Sequence, residues 1–278
     1  NNNLGPGDTE IPILIEDDAA NIGPADFTAG RLAEVNEVTV TGGALELTVQ
    51  EVSDLPTLMV DGGTVAVNDS GAAVSAADFF AGNLLQVSAV EVSSGELAGT
   101  IEEIELLPSL SVSGGATVKA VDSAPLVIAA DFSAGNLASV GAAQITSGRL
   151  DLIAVEAAGL VADLAVVDVD AAVDFFVTGD IAGLNGLNLA GVSGLDGLHV
   201  EDDGAAVAAA NFGAGNIQQA LDVAVVSGEL QATIAQLAAL PAITAAGGLV
   251  TVADSGANVG AADFGSDVNL PVVSAVDI

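Results

Sequence analysis

A segment of about 52 residues recurs along this chain, and each copy holds a phenylalanine at the same point of a short motif. Clear copies begin at Asp69, Asp122 and Asp202, a degraded copy begins at Asp17, and a truncated copy begins at Asp254. The shared phenylalanines are Phe27, Phe79, Phe132, Phe212 and Phe264. Self-similarity at a fixed period of this length is typical of stacked-repeat proteins, in which each unit packs on its neighbours.

Within one copy, the pattern predicts a helix, two strands, a short helix and a strand. Asp69 and Ser70 precede an alanine-rich run as a helix cap would, and Gly82 is the expected C-terminal cap. The following residues alternate around a Ser94–Gly95 turn, which predicts two strands. We therefore expect a single continuous α/β repeat solenoid over residues 1–278, with β-rich coils and short helices. An all-β parallel solenoid is the alternative.

One interval between phenylalanines is longer than the others. It runs from Phe132 to Phe212, and residues 170–175 within it resemble a shortened cap and helix. Residues 168–200 then carry leucines and asparagines in a rhythm like that of leucine-rich repeats. We expect an irregular coil there, inside the same solenoid, and an N-terminal arm over residues 1–10. The apolar strands near both ends are edges on which another copy could continue the stack.

The charge of the chain excludes several classes of partner. Aspartate and glutamate number 38 against three lysines and arginines, for a net charge of −35. Three basic residues are too few to neutralise the phosphates of a nucleic acid or of an anionic membrane surface. We therefore expect neither nucleic-acid binding nor attraction to anionic membranes. Hydrophobic residues make up 51% of the chain, which predicts a folded protein rather than a disordered one. The longest uncharged run, 230–253, aligns with a segment that holds three glutamates, so we expect no membrane span.

The Asp69–Ser70 cap and the Asp78–Phe79 pair recur with small variations across most of the chain. In these motifs the chain resembles repeat modules of large secreted bacterial surface proteins, namely adhesins exported by type I systems and S-layer-like proteins. The resemblance implies an extracellular or cell-surface location in a bacterium. The calcium-binding glycine–aspartate nonapeptide that marks many of those proteins does not occur in this sequence.

Aligned acidic residues are the sequence feature most able to carry chemistry. One column begins each copy, as at Asp69 and Asp122, and a second precedes the phenylalanines, as at Asp78 and Asp131. We favour helix capping, in which each carboxylate accepts a hydrogen bond from the helix that follows. Calcium is the alternative cofactor, because it binds carboxylate and carbonyl oxygens. The residues best placed to bind calcium are Asp17, Asp18, Asp168, Asp170, Asp174, Glu201, Asp202 and Asp203.

The sequence offers no catalytic constellation. His199 is the only histidine, lies in an alternating strand pattern, and cannot belong to a serine triad without further partners. We therefore predict that the protein is not an enzyme. The leading hypothesis is an extracellular structural repeat protein that assembles with copies of itself, head to tail or laterally, into a surface layer, sheath or filament.

Two other functions stay open. The chain is alternatively a ligand-binding or spacer module of a large adhesin, which would bind cell-surface glycans through residues 168–198. The third hypothesis is a carbohydrate-active enzyme, because an acidic solenoid offers pairs of carboxylates of the kind that glycosidases use.

Overall fold

The computed structural model describes residues 12–278, and the predicted N-terminal arm over residues 1–10 lies outside this range. Neighbouring strands run parallel, and their partners are close in sequence: Ala44 lies opposite Thr64, and Arg149 lies opposite Asp174. Parallel neighbours require a crossover connection between them. In both of these pairs, that connection contains a single helix and then a short strand, Thr57–Val60 in the first pair and Val166–Val169 in the second.

The described strands are β1 Ile13–Asp18, β2 Val35–Gly42, β3 Ala44–Leu47, β4 Thr57–Val60, β5 Thr64–Ser70, β6 Ala89–Ser94, β7 Glu96–Gly99, β8 Ser109–Val112, β9 Thr117–Ser123, β10 Ala142–Ser147, β11 Arg149–Ile153, β12 Val166–Val169, β13 Asp174–Gly179, β14 Gly197–Asp203, β15 Ala220–Ser227, β16 Glu229–Ala232, β17 Ala242–Ala245, β18 Leu249–Ala253 and β19 Ala275–Asp277.

The described α-helices are short. They are α1 Ala19–Ile22, α2 Val49–Asp54, α3 Gly71–Ala76, α4 Ile101–Leu106, α5 Ala124–Ala129, α6 Ala154–Asp163, α7 Ile181–Gly186, α8 Gly204–Ala209, α9 Ile234–Ala239 and α10 Gly256–Ala261. Turns of 3-10 helix occupy Leu32–Glu34, Gly82–Gln86, Gly135–Ser139, Asn216–Gln219 and Leu270–Val272. The α/β class is therefore confirmed, and the all-β alternative is wrong.

The chain divides into two compact units. Of the described residues, the first unit holds 12–121 and 130–143, and the second holds 122–129 and 144–278. The first unit contains the sheets β1-β2-β4 and β3-β5-β6-β8, and the second contains β11-β13-β14-β15-β17 and β16-β18-β19. In each unit, the order strand, helix, 3-10 turn, two strands, helix and strand occurs, as from β5 and from β14. This order is compatible with the predicted repeat.

The core of each unit is built from aliphatic residues that stack between neighbouring strands. In the first unit, Leu47 lies opposite Val67, Val67 opposite Val90, and Val90 opposite Leu110. Val67 and Val90 are fully buried, whereas the residues between buried positions along each strand face outward. This alternation with a period of two is what places one apolar face of each strand in the core.

The structure corrects three predictions about local elements. Gly82 does not end helix α3: the helix ends at Ala76, and Gly82 begins a 3-10 turn with φ 56°. The Asp78 carboxylate accepts a hydrogen bond from the Phe80 amide, and this local turn competes with continuation of the helix. The residues before Pro108 leave the helical conformation and lead into strand β8, which the sequence pattern did not predict.

The third correction concerns residues 170–175. They do not form a shortened cap and helix, because a turn at Asp170 leads directly into strand β13. Phe175 is buried in that strand, where its amide donates to Asp196 Oδ2 at 2.7 Å. Strand β13 and helix α7 thus add a further strand and helix within the long interval, and Val192 then forms a parallel bridge with Val167.

Candidate functional site

In the first acidic column, three carboxylates each accept hydrogen bonds from two backbone amides: that of the next residue and that at the start of an earlier helix. Asp69 Oδ1 accepts from the Ser70 amide at 2.7 Å, and Asp69 Oδ2 accepts from the Val49 amide at the start of helix α2 at 3.0 Å. Asp202 and Asp254 bind in the same way to the first residues of helices α7 and α9. These carboxylates therefore cap a helix that precedes them in the chain.

The capping of the helix that follows is done by the next residue. Ser70 accepts from Ala73 at the start of helix α3, and Ser255 caps helix α10 in the same way. Asp18 and Asp203 occupy this second position and cap helices α1 and α8. The prediction of capping by the acidic column thus holds for Asp18 and Asp203. For Asp69, Asp202 and Asp254 the prediction is wrong, because the helix that each of them caps precedes it in the chain.

The residues predicted to bind calcium are distributed over several turns. Asp17 Oδ1 accepts from the Asp18 amide and from the Asn21 side chain, and the latter bond is the larger reason that the pKa of Asp17 is lowered. Asp168 on β12 accepts a hydrogen bond from the Ser193 hydroxyl, and Asp170 accepts from Gln144 at 2.9 Å.

The other predicted ligands lie on strands β13 and β14. Asp174 begins β13 opposite Arg149, Glu201 is an exposed residue of β14, and Asp202 and Asp203 end that strand as helix caps. Within residues 12–278, no group of three or more carboxylate or histidine side chains is arranged to hold a metal ion. Calcium binding by these residues stays a prediction.

The second acidic column forms local turns. Asp26, Asp131 and Asp263 each accept from the backbone amide two residues later and from a nearby hydroxyl. The hydroxyl bonds, and then the backbone bonds, lower the pKa of these three carboxyls. Because the folded pKa is depressed, the stability that these turns contribute is present at neutral pH and is lost as the pH falls through the folded pKa. Asn211 makes the same turn with an uncharged side chain.

Asparagines that follow the Ala-Gly pair connect distant segments of backbone, a role that the sequence reasoning missed. Asn83 Nδ2 donates to the carbonyls of Val52, Leu55 and Pro56, where helix α2 ends, and its Oδ1 accepts from Leu58 in β4. Equivalent asparagines bond the ends of helices α4, α7 and α9, and they are Asn136, Asn216 and Asn269. The recurrent Ala-Gly-Asn triplet was the available signal for all but the last of them.

A partly exposed row of side chains crosses the sheet of the second unit. The ring of Phe176 on β13 has the Arg149 guanidinium carbon 5.2 Å from its centre and the His199 ring 5.1 Å away. Arg149 Nε donates to Asp151 at 2.6 Å, which raises the pKa of Arg149, and His199 Nδ1 lies 2.9 Å from both oxygens of Asp222. His199 therefore lies on a strand, as predicted, with its ring oriented by Asp222.

A groove of about 600 Å³ lies beside this row, between helix α6 and the junction of β13 with α7. This volume falls within the range of small-molecule sites. Ile153, Val155, Ala158 and Leu187 form apolar parts of its lining. The polar side chains of its lining are Thr178, Asp180 and Glu201. Thr178 lies opposite His199 in the sheet, so the groove and the row are neighbours.

No helix within residues 12–278 has both the length and the apolar character that crossing a membrane requires.

Comparisons with known proteins return no match: no protein-family model, no curated protein and no solved structure matches the chain.

Proposed function

We propose that the chain is an extracellular structural repeat protein, a solenoid that assembles with copies of itself into a surface layer, sheath or filament. The observation that carries this proposal is the parallel pairing of strands that lie close together in sequence, as between Ala44 and Thr64 and between Arg149 and Asp174. Stacked units of this kind bury a continuous core and present long repetitive surfaces.

The bonds between successive segments support a rigid role. Asp69 and Asn83 satisfy backbone groups at the two ends of helix α2, which precedes both of them in the chain. Buried backbone groups that find partners in this way hold adjacent segments in one register. With a net charge of −35, copies repel one another, so assembly requires cations or high ionic strength.

Negative-stain electron microscopy of the purified protein tests this proposal. We expect ordered layers or filaments in calcium at millimolar concentration and dispersal when a chelator is added. Dispersed monomers throughout series of calcium, sodium chloride and protein concentration would contradict the assembly.

The second candidate is a ligand-binding module of a large adhesin, and the groove beside the Phe176–His199 row favours it. Thr178, Asp180 and Leu187 of the groove and Phe176 of the row belong to residues 168–198, where the sequence departs most from its repeat. A glycan array tests this candidate. Saturable binding by the wild type should be lost in His199→Ala, because the change removes the ring that packs on Phe176 and the ring nitrogen that lies beside Asp222, and so disrupts the row next to the groove. Equal binding by both proteins would place recognition elsewhere.

A further inference from the structure

Two residues beside the groove, at the start of helix α6, differ from their counterparts in the other copies. At the start of helices α2, α4 and α9, a threonine caps the helix and a valine or isoleucine follows. At the start of α6, these positions hold Ile153 and Ala154. Ala154 lines the groove and is packed closely by the backbone of Gly179, where an added Cβ would lie 2.8 Å from Ala154 Cβ, and Ile153 is 52% exposed.

The elements around the groove also differ from those of the other copies. Helix α6 has 10 residues, whereas α2, α4 and α9 have six each. Gly179, Gly183 and Gly186 also line the groove and contribute bare backbone to its surface. Val155, on the rim, is 71% exposed. With Ile153, it offers apolar area that a ligand in the groove would bury.

The polar side chains of the groove favour a ligand that donates hydrogen bonds. Asp180 Oδ1 accepts from Gly183 at 2.6 Å and so caps helix α7, which leaves its second oxygen for another donor. Within the described part of the chain, the Glu201 carboxylate makes no hydrogen bond or ion pair. The side chains that line the groove include no lysine, arginine or histidine. A carboxylate-bearing ligand would therefore be repelled, and a cationic one attracted.

The charge of the whole chain acts in the same direction. A net charge of −35 raises the local concentration of cations near the surface, with or without a specific site. What distinguishes the groove from the remaining acidic surface is its aliphatic wall. Small inorganic cations gain nothing from Ile153 and Val155, whereas a cation with a methylene chain buries apolar area against them.

We propose that this groove binds a small aliphatic organic cation of the polyamine class. The methylene chain lies along Ile153, Val155 and Ala158, and the ammonium groups bond the carboxylates of Glu201 and Asp180. The inference deepens the ligand-binding candidate and is independent of self-assembly, since every residue of the groove belongs to the second unit.

Isothermal titration calorimetry of the full chain with spermidine tests the proposal, at about 0.15 M sodium chloride so that screening limits general attraction to about 8 Å. Glu201→Gln removes one carboxylate from the groove and should weaken binding about tenfold, because a charge-assisted hydrogen bond is lost. Glu229→Gln is the matched control: it removes the same charge from an exposed strand position in the same unit, outside the groove, and should change affinity less than about twofold.

A second variant tests the shape of the site. Ala158→Phe places a ring on an exposed helix position inside the groove and should abolish saturable binding while circular dichroism stays unchanged. A neutral diol of similar length and magnesium chloride serve as control ligands, and both should bind at least about tenfold more weakly than spermidine.

Three results would each overturn the proposal. Equal weakening by Glu201→Gln and Glu229→Gln would mean general counterion attraction. Equal affinity for the diol would mean that the ammonium groups are not recognised. Absence of saturable heat with spermidine would mean that the groove does not take this class of ligand. None of these results bears on self-assembly, which is measured by microscopy without polyamine.

Discussion

At the residue scale, the first position of certain helices controls how closely a helix approaches the strand beside it. Gly71 begins helix α3, and a Cβ atom built there would overlap the backbone of Glu96. Gly204 begins helix α8 and lies equally close to Glu229. The corresponding residue of α10 is Gly256, whose nearest neighbour beyond its own helix is Ile278 Cγ2 at 3.4 Å from such a Cβ.

Gly71→Ala should therefore lower the free energy of unfolding by about 1–3 kcal/mol, because the added methyl forces helix α3 away from β7. Gly256→Ala has the same chemistry at the same position of the motif, has room for the methyl, and should be neutral or stabilise by about 0.5–1 kcal/mol through helix propensity. Urea unfolding followed by circular dichroism measures both variants. Equal free energies for the two variants would show that the close approach at Gly71 carries no energetic weight.

At the element scale, asparagine side chains determine where a short helix ends, because they donate hydrogen bonds to the last carbonyl groups of that helix. Asn269 is 8% exposed, donates to the carbonyls of Leu237, Leu240 and Pro241, and accepts from Ile243 at 2.8 Å. Its φ is 65°, the left-handed conformation that asparagine tolerates better than most residues. The end of helix α9, the following strand and a turn much later in the chain are therefore held by one side chain.

Asn269→Asp should cost at least about 3 kcal/mol of stability at neutral pH, because a buried carboxylate would face carbonyl oxygens that have lost their donor. The matched control is Asn211→Asp, since the Asn211 side chain accepts from Gly213 and another copy holds Asp131 in this turn. That control should change stability by less than about 0.5 kcal/mol.

Thermal unfolding of both variants and the wild type, at neutral and at acidic pH, separates the two cases. Burial disfavours the charged form of a carboxyl group, so the carboxyl introduced at position 269 should take up a proton as the pH falls. The proton restores one hydrogen-bond donor, and the deficit of Asn269→Asp relative to the wild type should then shrink. A control as destabilised as Asn269→Asp at neutral pH would contradict the linking role of Asn269.

Much of the order of helices and strands within a copy could be predicted from the sequence, because this order depends on residues that are close together in the chain. The alternation around Val90 and Val92 predicts a strand, and Asp69 and Ser70 predict a helix start, which the structure confirms. Strand β8 and the partners of Asn83 could not be predicted in this way, because they depend on contacts between residues that are far apart in the chain. The groove beside Ala154 required both the comparison of copies and the packing of the next elements.

At the scale of the whole molecule, burial of the aliphatic core favours folding, and repulsion among the many negative charges opposes it. Stacked residues such as Val67 and Val90 are fully removed from water, whereas 38 acidic residues give the chain a charge that repels itself. Apolar burial favours the compact state in proportion to area, and self-repulsion weakens it in a way that salt relieves. Stability should therefore rise with ionic strength, and the remaining question is whether calcium does more than screen.

We predict that calcium raises the melting temperature more than sodium chloride of equal ionic strength. An ion that binds only the folded chain stabilises by mass action, by about 2.7 kcal/mol at one hundred times its dissociation constant. Asp170 and Asp174 belong to the predicted calcium ligands, and the double change Asp170→Asn and Asp174→Asn should remove a measurable part of the calcium-specific shift. Asp61→Asn with Asp163→Asn removes the same charge at exposed positions outside that set and should leave the shift intact. Differential scanning calorimetry compares the three proteins. If sodium chloride matches calcium at equal ionic strength, these carboxylates act only within the chain, Asp170 through its hydrogen bond with Gln144 and Asp174 through the charge of Arg149.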